Sequence, residues 1–455
     1  MNSNLLELGT PRFAGGDRSW TDLLSRLPPA QALATVEGSF AVALPLADGR
    51  TVLAVDRFAQ ETLCYRVVDG QLRVSERADR LGSTAVDPQA LFDYLYFHDI
   101  PSPRTVFADV FRLPPGHYAV FQDGRLDVAR YWTPTFAPES SPSFPALRDE
   151  FLQTVEQAVA SRLGDGPAAC FLSGGTDSST VAGMVSRITG GKAVTYSIGF
   201  EAQGYDEMAF ARIAARHFGT EHREYYVTPD DLVRSIAHVA ASYDQPFGNS
   251  SALPAYYCAL KAREDGVQRM LAGDGGDELF GGNSRYATQR VFGWYRQVPG
   301  FLRSGLLEPF FGLGPVAATP LLRKGSSYIH QANVPLPDRL QMYNLVRRLG
   351  LSDVLTPGFL GRVDPEDVMR QQRAVWAEAH AGSDLDRMLA FDWRYTLAES
   401  DLPKVRGTTR LAGVEVAVGE VGAATPRNPD FLGHLGRMVD QQYLQPALAG
   451  HASAE

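Results

Sequence analysis

The fold is decided by Ser173-Gly174-Gly175-Thr176-Asp177-Ser178-Ser179-Thr180. This stretch follows an apolar run at 168–172 and precedes an apolar-periodic run at 181–188, which predicts a buried strand, a glycine turn and a helix start. Backbone N–H groups and the helix dipole attract anions at such a junction, and glycines let a phosphate approach closely. Asp177 would repel a phosphate unless a divalent cation lay between them, which indicates a magnesium nucleotide. The alternative is an ordinary capped helix start.

Length, charge and cysteine content limit the classes of protein to which the chain can belong. A chain of 455 residues predicts two or three domains. Its 43 basic and 52 acidic residues give a net charge of −9 without long charge runs, so no nucleic-acid partner is expected. No apolar run approaches the ~20 residues that span a bilayer, so we expect a cytoplasmic protein without a membrane partner. Cys64, Cys170 and Cys258 lack metal-ligand spacing and are expected to be reduced, structural thiols.

Residues 1–132 predict a small, mainly antiparallel α+β domain. Short apolar runs alternate with the turn pairs Asp48-Gly49, Asp69-Gly70 and Asp123-Gly124, which is typical of hairpins. Four prolines among serines predict a linker over 133–145. Strands are predicted at 40–44, 51–55, 62–67 and 71–74, and helices at 20–27 and 88–98.

Residues 146–455 predict a different, α/β organisation. Strands alternating with helices indicate a mostly parallel, doubly wound sheet, in which ligands bind beyond the carboxyl ends of the strands. Beyond Gly282 the pattern becomes helical. Strands are predicted at 168–172, 194–200, 222–227 and 267–272, and helices at 147–163, 207–218, 230–242, 251–264, 342–349 and 388–402.

A second dense stretch, LAGDGGDELFGG at 271–282, carries three acids within five residues: Asp274, Asp277 and Glu278. Like charges this close repel one another, so metal or substrate binding explains them better than the alternative of a solvated turn. Arg285, just after this turn, is the best cationic candidate for binding a phosphate or carboxylate. The polar loop at 243–252 could reach the same crevice.

Three motifs resemble, in their order and spacing, the synthetase domain of the asparagine synthetase family: SGGTDSS, YDQPFGNSSALP and LAGDGGDELFGG. The first would fit any member of the wider ATP pyrophosphatase group, whereas the third is more specific. The resemblance implies an adenine-nucleotide hydrolase-like sheet and activation of a carboxylate as an acyl-adenylate, with pyrophosphate leaving before an amine attacks. GSFAVAL, LAVDRFAQETLCYR and LPPGHYAV more loosely resemble the later half of the family's N-terminal-nucleophile glutaminase domain.

The resemblance also implies cofactors, partners and site residues. ATP and Mg²⁺ are the implied cofactors, and the implied partners are a small-molecule acid and an amine: aspartate and ammonia, or a peptide or precursor. Asp274, Glu278 and Arg285 are the candidate catalytic residues, the first two facing the acyl group or the amine. Pyrophosphate would be held by Ser173, Gly174, Gly175, Ser178 and Ser179, magnesium by Asp177 and Asp277, and AMP by Phe171, Leu172, Ile198, Ala272 and Gly273.

Three departures from the family pattern leave the function open. Asn2 stands where the family's glutaminase exposes a cysteine, so we expect no glutaminase activity of its own. Gln245 replaces a glutamate of many relatives, and no lysine follows Lys404, although the family places one late in the synthetase domain. The chain is therefore an amide-forming ligase using ammonia, a lactam- or lasso-peptide-cyclase-like synthetase using another amine, or a catalytically inactive nucleotide-binding relative.

Overall fold

The computed structural model describes residues 6–14, 19–136, 143–164, 166–191, 193–200, 207–313 and 319–418. Antiparallel sheets lie in residues 6–136, called here the N-terminal part, and a parallel sheet with helices lies in residues 143–418, the C-terminal part. The predicted α/β class is confirmed. Within the described ranges, no helix is both long and apolar enough to cross a bilayer.

A five-stranded antiparallel sheet organises the N-terminal part. Its strand order is β1-β4-β5-β9-β10, with β7-β6-β8 as a second sheet and β2-β3 as a pair. The strands are β1 Leu6–Gly9, β2 Arg12–Phe13, β3 Val36–Glu37, β4 Phe40–Pro45, β5 Thr51–Val55, β6 Cys64–Val68, β7 Gln71–Ser75, β8 Phe111–Arg112, β9 His117–Gln122 and β10 Arg125–Arg130. The helices are α1 Trp20–Arg26, α2 Pro29–Ala34 and α3 Pro88–Phe97, with a 3₁₀ turn at Ala78–Leu81.

The predicted hairpins form where the sequence places aspartate-glycine pairs. Asp69 and Gly70 have φ angles of 51° and 71°, and Asp123 and Gly124 have 51° and 79°. Positive φ at both central residues defines the tight turn whose twist matches paired strands, and glycine and aspartate adopt it at low cost. The hairpins β6–β7 and β9–β10 are therefore specified locally.

The C-terminal part contains a five-stranded sheet in which every neighbouring pair is parallel. Its strand order is β13-β12-β11-β14-β15. The strands are β11 Ala168–Phe171, β12 Val194–Phe200, β13 Glu221–Val227, β14 Arg269–Ala272 and β15 Glu415–Val418. The helices that precede β11 or follow one of these strands are α4 Phe144–Leu163, α5 Thr176–Ile188, α6 Met208–Phe218, α7 Pro229–Ser242, α8 Ala252–Glu264 and α9 Gly276–Phe280.

The direction of winding reverses at β11. The chain runs outward to β12 and β13, then returns to place β14 and β15 on the other side of β11. One face of the sheet packs on α4, α5 and α6 and the other on α8, as a doubly wound fold requires. Ligands of such folds bind at the reversal point, between β11 and β14.

Helices dominate the remainder of the C-terminal part, as predicted. The predicted helix at 388–402 is the middle of a longer helical stretch over 384–412 that includes a π-helical segment. Residues 419–455, with the lysine-free tail, lie outside the described residues. The segments are α10 Ser284–Gln297, Gly300–Leu302, π-helical Arg303–Leu307, Glu308–Gly312, Pro320–Asn333, 3₁₀ Asp338–Gln341, Leu345–Leu349, Leu351–Val354, Pro357–Leu360, Asp367–Glu378, Asp384–Asp392, π-helical Trp393–Asp401 and Leu402–Ala412.

Two sequence expectations differ from the structure. The pattern beyond Gly282 predicts helices, but Glu415–Val418 form a strand that pairs in parallel with β14, and four residues are too few for periodicity to distinguish the two. Helix α4 begins at Phe144, within the predicted linker 133–145, because Pro145 is tolerated in a first helical turn. Residues 137–142 of that linker lie outside the described ranges.

A buried ion pair joins the two parts. Arg112 donates to both carboxylate oxygens of Asp244 at 2.9 Å, and the two side chains are only 12% and 13% exposed. The backbone N–H of Ala78 donates to the same carboxylate at 2.7 Å. Burial alone would raise the pKa of Asp244, but the charge of Arg112 and these hydrogen bonds hold it below its ordinary value.

Asp244→Asn should lower the free energy of unfolding by about 3 kcal/mol, because it leaves a buried guanidinium without its counter-charge. Urea denaturation at pH 7 measures the change. Asp127→Asn, on the exposed strand β10, is the matched control and should cost less than about 1 kcal/mol. Equal effects of the two substitutions would show that the Arg112 pair does not hold the parts together.

Candidate active site

Hydroxyl groups of the loop after β11 shape the loop itself. The backbone N–H of Ser173 donates to Ser178 Oγ at 3.1 Å, and the two hydroxyl oxygens lie 2.9 Å apart. The N–H of Gly175 donates to Ser173 Oγ at 3.2 Å. These bonds preorganise the turn before α5, and the pyrophosphate contacts of Ser173, Gly174, Gly175, Ser178 and Ser179 stay a prediction.

Gly174 is required by packing. Its φ is +86°, and a methyl group there would lie 2.5 Å from the backbone nitrogen of Ala211 in α6. No side chain fits that distance, and only glycine adopts this φ readily. The loop is therefore held against the first turn of α6, which fixes the direction of its backbone N–H groups.

The turn that carries Asp274, Asp277 and Glu278, called here the acid-rich turn, contains glycines that leave room for the first turn of α5. A methyl group on Gly273 would lie 2.8 Å from both Asp177 C and Ser178 N, and one on Gly276 would overlap the Asp177 carboxylate. The Asp177 turn is therefore what lies against these glycines, so the two motifs form one unit.

Asp177 and Asp277 are brought together at the reversal point of the sheet. The backbone N–H of Asp277 donates to the Asp177 carboxylate, while burial and the charges of Asp277 and Asp274 raise the pKa of Asp177 to about 7. Burial also raises the pKa of Asp277. Crowded carboxylates of this kind would be relieved by a bound cation.

The donor set fits magnesium. Among the described residues, no group of three or more histidine, cysteine, aspartate or glutamate side chains could hold a metal ion. Mg²⁺ bound with a nucleotide needs only one or two protein carboxylates, because phosphates and waters complete its octahedron. Asp177 and Asp277 would suffice for that ion.

Lys404 contacts the acid-rich turn directly. Its ammonium group lies 2.9 Å from Asp274 Oδ1 and 2.9 Å from Asp401 Oδ1. Burial alone would lower the pKa of Lys404, but the charges of Asp274 and Asp401 raise it above its ordinary value. Lys404 therefore stays protonated, and Asp274 is engaged with it.

Glu278 is a proton-transfer candidate. Glu278 is only 5% exposed. Burial, followed by the charges of Asp401, Asp392 and Asp277, raises the pKa of its carboxyl group to about 8. A carboxyl group with a pKa near the working pH can act as a general acid or base. Its predicted contact with the acyl group or amine stays a prediction.

Arg285 is engaged in an ion pair within the protein, and its binding of a phosphate or carboxylate stays a prediction. It forms an ion pair with Asp392, which also accepts a hydrogen bond from the Tyr286 hydroxyl at 2.5 Å. The positive charge of Arg285 still acts on the site, because it opposes the rise in the pKa of Asp277. Lys404, rather than Arg285, is the cation that contacts Asp274 of the acid-rich turn.

The two ends of the loop at 243–252 contact different parts of the molecule. Gln245 Oε1 accepts a hydrogen bond from the backbone N–H of Val106 at 3.1 Å, and Asp244 binds Arg112, so this end faces the N-terminal part. Asn249 instead reaches the Ser400 hydroxyl at 3.2 Å and hydrogen-bonds Asp401. The expectation that the loop can reach the crevice therefore holds for Asn249.

The residues predicted to line AMP stand near the carboxyl ends of three adjacent strands, β12, β11 and β14. Leu172 and Ala272 are each 2% exposed, with side chains in the cores beside the sheet. Any contact from these two residues to a nucleotide would therefore use backbone atoms. The five are Phe171, Leu172, Ile198, Ala272 and Gly273.

Comparisons with known proteins agree with these motifs. A family model described as asparagine synthase matches residues 150–419, and one described as a glutamine amidotransferase domain matches residues 25–132. The chain is 28% identical over 373 residues to glutamine-hydrolyzing asparagine synthetase 1 of Bacillus subtilis, covering 80% of this chain and 57% of that protein.

Two further relatives carry similar names. A putative glutamine-hydrolyzing asparagine synthetase of Mycobacterium tuberculosis is 29% identical over 359 residues, 76% of this chain and 53% of that protein. Putative asparagine synthetase 2 of Methanocaldococcus jannaschii is 34% identical over 222 residues, 48% of this chain and 42% of that protein. The chain thus spans about half the length of the curated relatives it matches.

Gly273→Ala should destabilise the protein by about 1–3 kcal/mol, because the new methyl group would press on the backbone between Asp177 and Ser178. Thermal denaturation measures the effect. Gly293→Ala is the matched control, since a methyl group there meets nothing within 4 Å inside helix α10. The control should stabilise by about 0.5–1 kcal/mol, and a Gly273 variant as stable as the wild type would contradict the packing argument.

Asp177→Asn should stabilise the metal-free protein by about 1–4 kcal/mol at pH 8 and by less at pH 5. The pKa of Asp177 is raised to about 7 from 3.8, so the folded state holds a proton that the unfolded state releases. The aspartate's contribution to stability is therefore lost as pH rises between these values, and asparagine mimics the neutral form. Denaturation in EDTA at both pH values measures this, and a pH-independent difference would refute it.

Proposed function

Because the chain belongs to the asparagine synthase family, we propose that it is an ATP-dependent ligase that activates a carboxylate as an acyl-adenylate and forms an amide. The observation that carries this proposal is the packing of the Asp177 turn against the Asp277 turn at the reversal point of the sheet. Two crowded carboxylates beside a serine-glycine turn suit a magnesium pyrophosphate group. Mg²⁺ held by Asp177 and Asp277 would neutralise charge on the leaving pyrophosphate.

The chain's own residues would position the reactants. Backbone N–H groups of residues 173–179 bind the phosphates, and the nucleotide lies across the carboxyl ends of β11, β12 and β14. Protonated Lys404, beside Asp274, attracts the substrate carboxylate toward the α-phosphorus. When the amine nitrogen attacks the acyl carbon, AMP leaves with the C–O bonding electrons, and ionised Glu278 accepts the proton that the amine loses.

We also propose that the amide nitrogen arrives as ammonia or another amine. All three cysteines are buried, and burial raises the pKa of Cys64 and of Cys170 to about 12 and that of Cys258 still further. A buried thiol with so high a pKa cannot act as the thiolate that glutamine hydrolysis needs. The proposed division is a glutaminase-like domain at 1–132, a linker at 133–145 and a synthetase domain at 146–455.

Pyrophosphate release from ATP, Mg²⁺ and candidate acids tests the ligase. Asp177→Asn and Asp277→Asn should each lower the rate at least about 100-fold, whereas the exposed Asp127→Asn should leave it unchanged. The Mg²⁺ concentration for half-maximal rate should rise as pH falls from 8 to 6, because a proton on Asp177, whose pKa is raised to about 7, competes with the metal.

Mass spectrometry of the same reactions identifies the product. AMP with an amidated acid supports the ligase, and comparing ammonium with other amines names the nucleophile. Tight binding of magnesium-ATP by calorimetry, without AMP formation for every acid and amine tried, would instead establish a nucleotide-binding relative without turnover.

A further inference from the structure

Three helices that follow the acid-rich turn pack around a core of their own. The Phe292 and Tyr328 rings stack with their centroids 5.3 Å apart, and a methyl group on Gly325 would lie 2.6 Å from the Phe311 ring. The inward sides of these helices therefore cover one another. The helices, called here the three-helix unit, are α10 Ser284–Gln297, the helical stretch 300–312 and helix Pro320–Asn333.

The first two helices of this unit expose an apolar side. Trp294 is 64% exposed and Phe301 is 74% exposed, although aromatic side chains gain the most from burial. Leu302, Leu306 and Phe310 are also exposed and recur every four residues, which places them along one side of their helix. Exposed apolar side chains grouped in this way mark an interaction site.

The same unit is strongly basic. Residues 284–333 contain six basic residues and a single acid, Glu308, in a chain whose net charge is −9. Arg303, Arg323 and Lys324 form no ion pair with any residue that the structure describes. Their positive charges therefore have no partner within that part of the chain.

These cations adjoin the apolar side of the unit. The Arg303 guanidinium lies 5.6 Å from the centre of the Tyr295 ring, which places it between α10 and the second helix. Ser326, two residues after Lys324, donates a hydrogen bond to the backbone oxygen of Phe311 at 3.0 Å. Positive charge and exposed apolar side chains thus belong to one surface.

We propose that the three-helix unit binds the surface of an anionic lipid bilayer. Trp294, Phe301 and Leu306 would enter the boundary between head groups and acyl chains, and the unpaired cations would contact anionic head groups. The length of the apolar runs led us to expect no membrane partner. Attachment to the surface of a bilayer, however, requires no spanning segment.

Charge complementarity decides between this occupant and two others. A second copy of the chain, paired through the same surface about a two-fold axis, would place like charges opposite each other. An acidic protein surface would match the cations but would offer little apolar area to Trp294 and Phe301. An anionic bilayer supplies both, because its charged head groups lie directly above apolar chains.

Sedimentation of the full chain with lipid vesicles, in the absence of ATP, tests the attachment. The chain should bind vesicles of equal parts phosphatidylglycerol and phosphatidylcholine at least about 10-fold more tightly than vesicles of phosphatidylcholine alone. Raising the salt concentration from about 0.1 M to about 1 M should weaken this binding, because the Debye length shortens from about 10 Å to about 3 Å.

Two pairs of arginine and lysine substitutions separate the position of the charge from its total. Arg323→Gln with Lys324→Gln should lower the affinity for the anionic vesicles at least about 10-fold, since each basic residue near the bilayer contributes about fivefold. Arg125→Gln with Arg216→Gln removes the same charge from exposed positions outside the unit and should leave the affinity unchanged.

A matched pair of apolar substitutions tests the insertion. Trp294→Ser with Phe301→Ser should lower the affinity for the anionic vesicles at least about 10-fold. Val233→Ser with Ile236→Ser, at exposed positions of α7, is the control and should bind as the wild type does. Thermal unfolding checks that each variant is folded.

Three results would overturn the membrane surface. The first is no preference for anionic vesicles, or an equal loss of binding in the two charge variants. The second is binding to soluble polyglutamate but not to vesicles, which would assign the surface to an acidic protein. The third is a dimer that Trp294→Ser dissociates, without vesicle binding, which would assign it to a second copy. None of these measurements requires turnover, so they and the pyrophosphate assay can fail independently.

Discussion

The contact between two turns is the constraint on which the rest of the structure depends. The turn after β11 and the turn after β14 meet so closely that Gly273 can carry no side chain beside the backbone of Asp177. This contact requires β11 and β14 to be neighbours, and hence the reversal of winding at β11. The fold and the site are thus specified by the same few residues.

That contact brings several negatively charged side chains together in a largely buried crevice beyond the ends of β11 and β14. Burial raises the pKa of Asp177, Asp277, Glu278 and Asp401, and Lys404 is the ammonium group paired with the acid-rich turn. Such an arrangement costs stability in the ligand-free protein. Crowded, buried carboxylates are typical of sites where a charged ligand supplies the compensating charge, because a purely structural turn gains no stability from them.

Local features could be predicted from the sequence, and long-range contacts could not. The bounds of β5 and β12 match the prediction because apolar runs and flanking turn residues are local signals. The contact of Lys404 with Asp274 joins residues 130 positions apart, and no local pattern records it. The loop at 243–252 was likewise expected to be able to reach the crevice, whereas the side chain of Gln245 hydrogen-bonds Val106 in the other part.

One helix connects the interface to the active site. Helix Leu402–Ala412 presents Lys404 to Asp274, and Gly407 receives Tyr243, whose ring would lie 2.8 Å from any methyl group there. Tyr243 stacks on Phe247 in the loop whose Asp244 binds the N-terminal part. Contacts thus run without a break from the interface with the N-terminal part, through Tyr243 and Gly407, to the helix that carries Lys404.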